Sequence, residues 1–122
     1  MSNIIAIFVG SGVGAVIRWV FQMRFNPERG WPAGTFIVNM IGALFAGICL
    51  AASSRLSPEV RLFFVTGILG GLTTFSALSA EMLALGFDGF VAHAVWHGLG
   101  SLILGASFCW LGYWLAIQLG AK

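Results

Sequence analysis

The sequence predicts an all-α integral membrane protein with four transmembrane helices in each subunit. Of its 122 residues, 59% are apolar and only 8% are charged, and the mean hydropathy is +0.97. A soluble domain usually carries about a quarter charged residues. The chain also contains 17 glycines, and glycine is more frequent in membrane helices than in soluble ones. These observations predict a single membrane domain over residues 1–122, with no separate soluble domain.

Four apolar segments are long enough to cross a bilayer, because a helix needs about 20 residues to span the hydrocarbon core. The predicted helices cover about residues 3–23, 31–53, 62–86 and 91–119. Prolines and a glycine within residues 24–32 end the first helix and begin the second. Residues 57–59 read SPE, which is typical of a helix start because proline is tolerated at the first helical position. Residues 87–89 read FDG and predict a tight turn before the fourth helix.

The third predicted helix contains the most informative stretch, residues 67–81, which read GILGGLTTFSALSAE. A glycine pair (Gly70, Gly71) and a threonine pair (Thr73, Thr74) lie where a membrane helix should be continuous. A helix breaks within hydrocarbon only where the break is buried in protein or lines a polar cavity. A break near mid-membrane therefore predicts a binding site or a pore element. The alternative is a continuous helix in which the glycines allow close packing and the threonines hydrogen-bond back to their own helix.

The basic residues show no bias that would fix the orientation of the chain in the membrane. Three of them fall on each side of the four predicted spans: Arg55, Arg61 and Lys122 with the N-terminus, and Arg18, Arg24 and Arg29 opposite. Because the positive-inside rule depends on an imbalance, we expect the chain to insert both ways up and to form an antiparallel, dual-topology dimer. In such a dimer, carbonyls freed by the two breaks would meet at one depth and could hold a hard cation such as Na⁺.

Small residues recur four positions apart in three of the predicted helices. The pairs are Gly10 and Gly14, Gly42 and Ala46, Ala43 and Gly47, and Ser101 and Gly105. Residues of this size let helix backbones approach closely. The pattern fits packing within one subunit and also fits a dimer interface, and the sequence leaves both interpretations open.

Four side chains near the predicted break could contact an anion. An aromatic ring is positive at its edge, so Phe75 presented edge-on would favour an anion without carrying a full charge. Ser76 and Ser79 add hydroxyl donors, although such serines often bond back to their own helix. Asn39 adds an amide in the middle of the apolar second helix, where a polar group is costly unless it is satisfied or functional. Asn39 could equally link two helices by hydrogen bonds.

Arg18 and Glu81 are the formal charges well inside the predicted spans. Arg18 could extend to the membrane surface, pair with another group or line a vestibule. Glu81 could bond a backbone or hydroxyl group or lie in a water-filled entrance. His93 and His97 are four residues apart on one helix, a spacing that can hold a metal. A metal site there is not expected, because no third ligand is evident and useful sites need three or four.

Composition and motifs also argue against two functional classes. The basic residues are scattered, so nucleic-acid binding is not expected. No paired carboxylates, no serine with a histidine base and no phosphate loop can be recognised, so an enzyme is not expected either.

The motifs resemble those of the Fluc (CrcB) fluoride channel family. The stretch GILGGLTTFSALSAE at residues 67–81 carries the resemblance, together with GSGVGAVIRW at residues 10–19 and GTFIVNMIGA at residues 34–43. These motifs follow one another in the same order as in the family, and the resemblance covers nearly the whole chain.

The resemblance implies a passive fluoride channel that lowers cytoplasmic fluoride across a bacterial inner membrane. It implies an antiparallel homodimer with two pores and a central structural Na⁺ held by the backbone carbonyls of Gly70 and Thr73. By motif position, it assigns a pore-lining asparagine to Asn39, a conserved arginine to Arg18, a hydroxyl position to Thr35 and the first pore phenylalanine to Phe75, and it aligns Leu78 with the second. Together with the hydroxyl donors Ser76 and Ser79, these are the predicted pore residues.

The sequence departs from the family pattern at two positions of the third helix. The family motif reads TTFSTFS, whereas residues 73–79 read TTFSALS. Leu78 therefore replaces a pore phenylalanine, and an aliphatic side chain offers no positive ring edge. Ala77 removes a hydroxyl from the expected polar track. Passage would then depend more on Phe75, Ser76, Ser79 and Asn39. Alternatively, the chain would be one half of a heterodimeric fluoride channel whose partner supplies the missing groups.

A small proton-coupled multidrug exporter is the alternative from another functional class. It would also be an antiparallel protein of four helices. That activity requires a central acidic residue to exchange protons for a cationic drug, and helices 1 and 2 contain none, while Glu81 lies away from the centre.

Overall fold

A computed structural model describes residues 2–121, and it is helical almost throughout. The helices are α1 (Ser2–Phe25), α2 (Ala33–Ala51), α3, α4 (Phe75–Phe87) and α5 (Val91–Gln118). Helix α3 is a continuous helical run over residues 58–72, made of Pro58–Arg61, a wider π-helical segment Leu62–Leu69, and Gly70–Leu72. Four spans are long and apolar enough to cross a membrane: Asn3–Phe25, Ala33–Ala51, Pro58–Phe87 and Val91–Gln118. The prediction of an all-helical membrane protein with four spans is confirmed.

The third span begins at the SPE motif, four residues before the apolar segment that was predicted to start near residue 62. Helix α3 starts at Pro58 rather than near residue 62. Ser57 caps it, because its hydroxyl accepts a hydrogen bond from the Val60 amide at 3.3 Å and Pro58 occupies the first turn. A capping serine followed by proline stabilises a helix start, and this polar turn extends the helix beyond its apolar part.

Large apolar side chains cover the outside of the molecule instead of its interior. Phe8 is 79% exposed and Trp110 is 67% exposed. The buried core is made largely of smaller groups, including Val38 at 0% exposure. Such a surface would be unstable in water, whereas lipid is as apolar as these side chains.

Glycines allow the helix backbones to touch within the subunit. Helix α1 packs mainly on α3, and α2 packs mainly on α5. A Cβ atom added at Gly14 would overlap the Ile68 carbonyl oxygen, and one added at Gly47 would overlap the Cys109 carbonyl oxygen. Small residues four apart in the sequence therefore serve packing inside one subunit, which was one of the two interpretations of that pattern.

Replacing Gly47 with alanine should destabilise the protein by about 1–3 kcal/mol, the usual cost of overpacking. The new methyl group would meet the backbone of Cys109 and Tyr113, which cannot move aside as a side chain can. Gly12→Ala is the matched control, because nothing lies within 4 Å of a Cβ at Gly12. Thermal unfolding in detergent should show a lower midpoint for Gly47→Ala alone. Equal midpoints for the two variants would contradict this packing.

Candidate functional site

The third span is interrupted at two threonines between α3 and α4. Thr73 (φ −80°, ψ 150°) and Thr74 (φ −149°, ψ 120°) have extended backbone. Gly70 and Gly71 remain helical, so the interruption is shorter than the unwinding considered for both pairs. The hydroxyl of Thr73 donates to the Leu69 carbonyl at 2.9 Å, as such side chains often do.

Side chains from α1 and α2 form hydrogen bonds with backbone groups at the interruption. The Thr74 amide donates to Asn39 Oδ1 at 2.8 Å, and Asn39 Nδ2 donates back to the Thr74 carbonyl at 3.3 Å. Arg18 Nε donates to the Gly71 carbonyl at 3.1 Å. Thr74 also caps α4, because its hydroxyl accepts from the Ala77 amide at 3.1 Å. Asn39 and Arg18 therefore replace the helical bonds that the interruption removes.

The carbonyls of Gly70 and Thr73 lose the partners that a continuous helix would give them. In an α-helix these carbonyls would accept from the amides of Thr74 and Ala77. The first of these amides is bonded to Asn39 and the second to the Thr74 hydroxyl. Within residues 2–121, no donor reaches the carbonyl of Gly70, Leu72 or Thr73. Unpaired carbonyl oxygens of this kind are suitable ligands for a hard cation.

An open cavity of about 1020 Å³ lies between α2, the later part of α3, the interruption, α4 and α5. Most of the site residues predicted from the sequence line it: Asn39, Gly70, Thr73, Phe75, Leu78 and Ser79. Phe75 is 81% exposed, whereas Leu78 is only 8% exposed. The structure therefore brings the threonine pair, the asparagine and an exposed aromatic ring to one place, although Asn39 lies 35 residues before Thr74 in the chain.

Hydrogen bonds within the protein limit which hydroxyl groups remain free in the lining of this cavity and next to it. The Ser79 hydroxyl donates to the Phe75 carbonyl at 2.9 Å. Ser76 and Thr74 hydroxyl oxygens lie 3.2 Å apart, and either one can donate. Since a single hydrogen serves that contact, the pair retains one further hydroxyl hydrogen. Asn39 Nδ2 likewise carries a second hydrogen besides the one given to Thr74.

Three of the predicted pore residues, Arg18, Thr35 and Ser76, lie outside the lining of this cavity. Ser76 is exposed, and its hydroxyl contacts that of Thr74, which does line the cavity. Arg18 is bonded to the Gly71 carbonyl. Thr35 is fully buried and belongs to a second polar group, which we call the Glu81 cluster. The cluster consists of Glu81, Thr35, Asn26, Gln22 and His97.

The Glu81 cluster was only partly foreseen from the sequence. A bond to a hydroxyl group was one of the alternatives considered for Glu81, and its Oε1 accepts from the Thr35 hydroxyl at 2.6 Å. His97 Nε2 lies 3.0 Å from Glu81 Oε2, so His97 pairs with this carboxylate, whereas the ring of His93 lies 5.7 Å from that of Phe90. Asn26 was missed, because it precedes a proline in a connecting segment and such positions usually belong to turns.

Comparison with known proteins identifies the family. The sequence profile described as CrcB-like protein, Camphor Resistance (CrcB), matches residues 5–113. The chain belongs to the CrcB family. Together with the four spans, this makes it a multi-pass membrane protein of the cell membrane.

Curated relatives in the CrcB family carry a functional name. A protein of Enterobacter sp. (strain 638) is 41% identical over 116 residues, covering 88% of this chain and 91% of the relative. One from Escherichia coli (strain K12) is 39% identical, with 92% and 91% covered. One from Serratia proteamaculans (strain 568) is 38% identical, with 85% and 88% covered. All three are named fluoride-specific ion channel FluC.

Proposed function

We propose that this CrcB-family protein is a fluoride-selective channel and not an enzyme. It would release fluoride passively across a bacterial inner membrane and so lower cytoplasmic fluoride. The observation that carries the proposal is the cavity in which the interrupted span, Asn39 and the exposed Phe75 come together. The similarity to relatives named fluoride-specific ion channel FluC supports the choice of fluoride as the ion.

The proposed pathway offers weak hydrogen-bond donors and no bare positive charge. Fluoride is small and strongly hydrated, so the protein must replace its water shell. The second hydrogen of Asn39 Nδ2 and the free hydroxyl hydrogen of the Thr74–Ser76 pair can donate to it. The Ser79 hydroxyl can donate after it turns away from the Phe75 carbonyl. The ring edge of Phe75 adds partial positive charge.

Arg18 and Thr35 support this pathway indirectly. Arg18 holds the backbone of the interruption through the Gly71 carbonyl, and Thr35 is enclosed in the Glu81 cluster. Leu78 is nearly buried at 8% exposure, so it fills space beside the cavity, while Phe75 presents the aromatic edge.

The second part of the proposal is an antiparallel homodimer in which the open cavity faces the other copy. The even distribution of basic residues and the 81% exposure of the Phe75 ring among residues 2–121 support it. A heterodimer would suit the Leu78 and Ala77 departures, but the partners of a fixed-orientation pair should carry opposite charge biases.

A structural Na⁺ at the centre of the dimer completes the proposal. The carbonyls of Gly70 and Thr73 are without donors among residues 2–121, and both residues line the cavity. Two copies related by a two-fold axis would bring such carbonyls together from both subunits. In this arrangement the ion would neutralise the carbonyl dipoles and stabilise the dimer.

Removing Na⁺ should therefore lower fluoride efflux at least about tenfold, a change of about 1.4 kcal/mol in free energy. Protein purified and reconstituted in N-methylglucamine salts would be compared with protein kept in Na⁺, using a fluoride electrode. Adding Na⁺ back should restore the rate. Equal rates with and without Na⁺ would argue against the ion.

The channel mechanism itself can be separated from a coupled exporter. Fluoride efflux from liposomes would be measured with no pH gradient and with an imposed one, the membrane potential being clamped by K⁺ and valinomycin. A passive channel should release fluoride without any pH gradient. Efflux that requires the gradient would contradict the proposal and favour coupled transport.

A further inference from the structure

The Glu81 cluster lies where four helical elements meet. Asn26 directly follows α1, Thr35 is in the first turn of α2, Glu81 is in α4 and His97 is in α5. Glu81 is three residues after Leu78 and one before Met82, and both of these neighbours line the cavity. A carboxylate in a membrane-spanning segment is costly unless it is paired, and a bare carboxylate beside an anion pathway would repel the anion.

Glu81 receives donors on both of its oxygens. Oε1 accepts from the Thr35 hydroxyl at 2.6 Å and from Asn26 Nδ2 at 3.0 Å. Oε2 lies 3.0 Å from His97 Nε2, and an ionised carboxylate can only accept, so His97 donates. The 2.6 Å contact is in the range of charge-assisted hydrogen bonds, which are stronger than neutral ones.

The hydroxyl of Thr35 has no capacity left for fluoride. Its hydrogen goes to Glu81, and its oxygen accepts from Gln22 Nε2 at 3.0 Å and from Asn26 Nδ2 at 3.2 Å. A hydroxyl has one hydrogen and two lone pairs, and all three are used. The residue is also 0% exposed.

Asn26 is the group that joins these contacts. Its Oδ1 accepts from the amides of Gly34 and Thr35 at 2.7 and 3.3 Å, which caps α2, whose N-cap residue Pro32 makes no side-chain cap bond. Its two Nδ2 hydrogens can serve Glu81 Oε1 and the Thr35 hydroxyl oxygen. One side chain therefore fixes the start of α2 and supplies a donor to the carboxylate.

We propose that Asn26 is a positioning residue for fluoride passage. By donating to Glu81 Oε1, it keeps the negative charge of this carboxylate compensated and turned toward α2, so that the charge does not repel fluoride beside the cavity. This inference rests on the proposed fluoride channel. It assigns no fluoride contact to Asn26 itself.

Asn26→Asp separates the donor from the cap. Aspartate caps a helix as well as asparagine does, so α2 keeps its acceptor. In the parent, Asn26 Nδ2 lies 3.0 Å from Glu81 Oε1. In the variant, a second carboxylate takes the place of this donor. Fluoride efflux from liposomes should fall at least about tenfold. A residue that served only as the cap of α2 would leave the rate unchanged.

The double variant Asn26→Asp/Glu81→Gln should restore efflux to within about threefold of the parent rate. In it the carboxylate and the amide exchange places. The new amide nitrogen can donate to position 26, its oxygen can accept from His97, and the Thr35 hydroxyl can turn to donate to position 26. Efflux recovers in the double variant only if positions 26 and 81 pair with each other. A change in thermal stability alone would not restore efflux in this way.

Asn3→Asp is the matched control, since it makes the same chemical change at an exposed position of α1 and should conduct as the parent does. The parent is measured in vesicles of the same composition, so a parent without fluoride efflux would refute the proposed channel and not this inference.

Unchanged efflux in Asn26→Asp would overturn the inference. So would a double variant that elutes as the parent does but conducts no better than Asn26→Asp. If Asn26→Asp alone fails to fold, the double variant decides: recovery of folding and efflux supports the pairing, and failure of both contradicts it.

Discussion

Replacing Phe75 with isoleucine should lower fluoride efflux at least about tenfold, equivalent to about 1.4 kcal/mol in the barrier. The ring is 81% exposed within the subunit and lies in the wall of the cavity. Isoleucine retains apolar bulk but has no ring edge to carry partial positive charge. The fall should be seen with an electrode in liposomes, while the elution volume and thermal midpoint stay close to those of the parent.

Phe87→Ile provides a control of equal exposure on the same helix. Phe87 is 82% exposed and lies outside the cavity lining, so this variant should keep the parent rate. If both variants conduct as the parent does, Phe75 has no part in the pathway. If both are impaired alike, the effect comes from losing a surface aromatic ring and not from the cavity.

Replacing Asn39 with leucine should abolish measurable fluoride efflux and lower stability by about 2 kcal/mol or more. Asn39 makes both bonds that join α2 to Thr74, at 2.8 and 3.3 Å. Leucine has a similar volume but would leave the Thr74 amide and carbonyl without partners, and an unsatisfied buried group costs about 1–3 kcal/mol. Thermal unfolding and liposome efflux would measure the two effects.

Asn39→Asp tests separately whether the side chain links α2 to Thr74 and whether it donates a hydrogen bond to fluoride. Aspartate still accepts from the Thr74 amide but donates nothing to the Thr74 carbonyl or to fluoride. Its stability should fall below that of the parent, because one hydrogen bond is lost and a carboxylate enters a membrane-spanning segment, and its efflux should be as low as that of leucine. An aspartate variant that conducts at the parent rate would remove Asn39 from the pathway and leave it as a link between helices.

The helical spans could be predicted because they depend on length and apolar character alone. Four segments of sufficient length are visible in the sequence and are present in the structure. The helix start at Pro58 was visible in the SPE motif, whereas the apolar segment alone placed the span from about residue 62, because the first turn of α3 is polar and is capped by Ser57. Hydropathy does not report a helix that continues outside the hydrocarbon.

The detail of the interruption could not be predicted from local sequence. The glycine pair looked as prone to unwind as the threonine pair, but it stays helical, and the Thr73 amide still reaches the Leu69 carbonyl at 3.0 Å. The extended backbone at Thr74 is held by Asn39, which is 35 residues away in the chain. Arg18 comes from 53 residues away. Contacts over such separations leave no periodic signal in a single sequence.

The Glu81 cluster was hidden for the same reason. Glu81 meets Thr35 across 46 residues and Asn26 across 55. A loop asparagine and a polar residue in an apolar helix each have an ordinary local explanation. Only the folded chain shows that they satisfy one carboxylate.

The most direct test of the central claim is the ratio of fluoride to chloride efflux from liposomes that contain this purified protein alone. The account predicts rapid fluoride release, with chloride release at the level of protein-free vesicles, from a protein that elutes as a homodimer in Na⁺. Equal release of both ions, or no fluoride release from well-folded protein in Na⁺, would contradict a self-sufficient fluoride-selective channel.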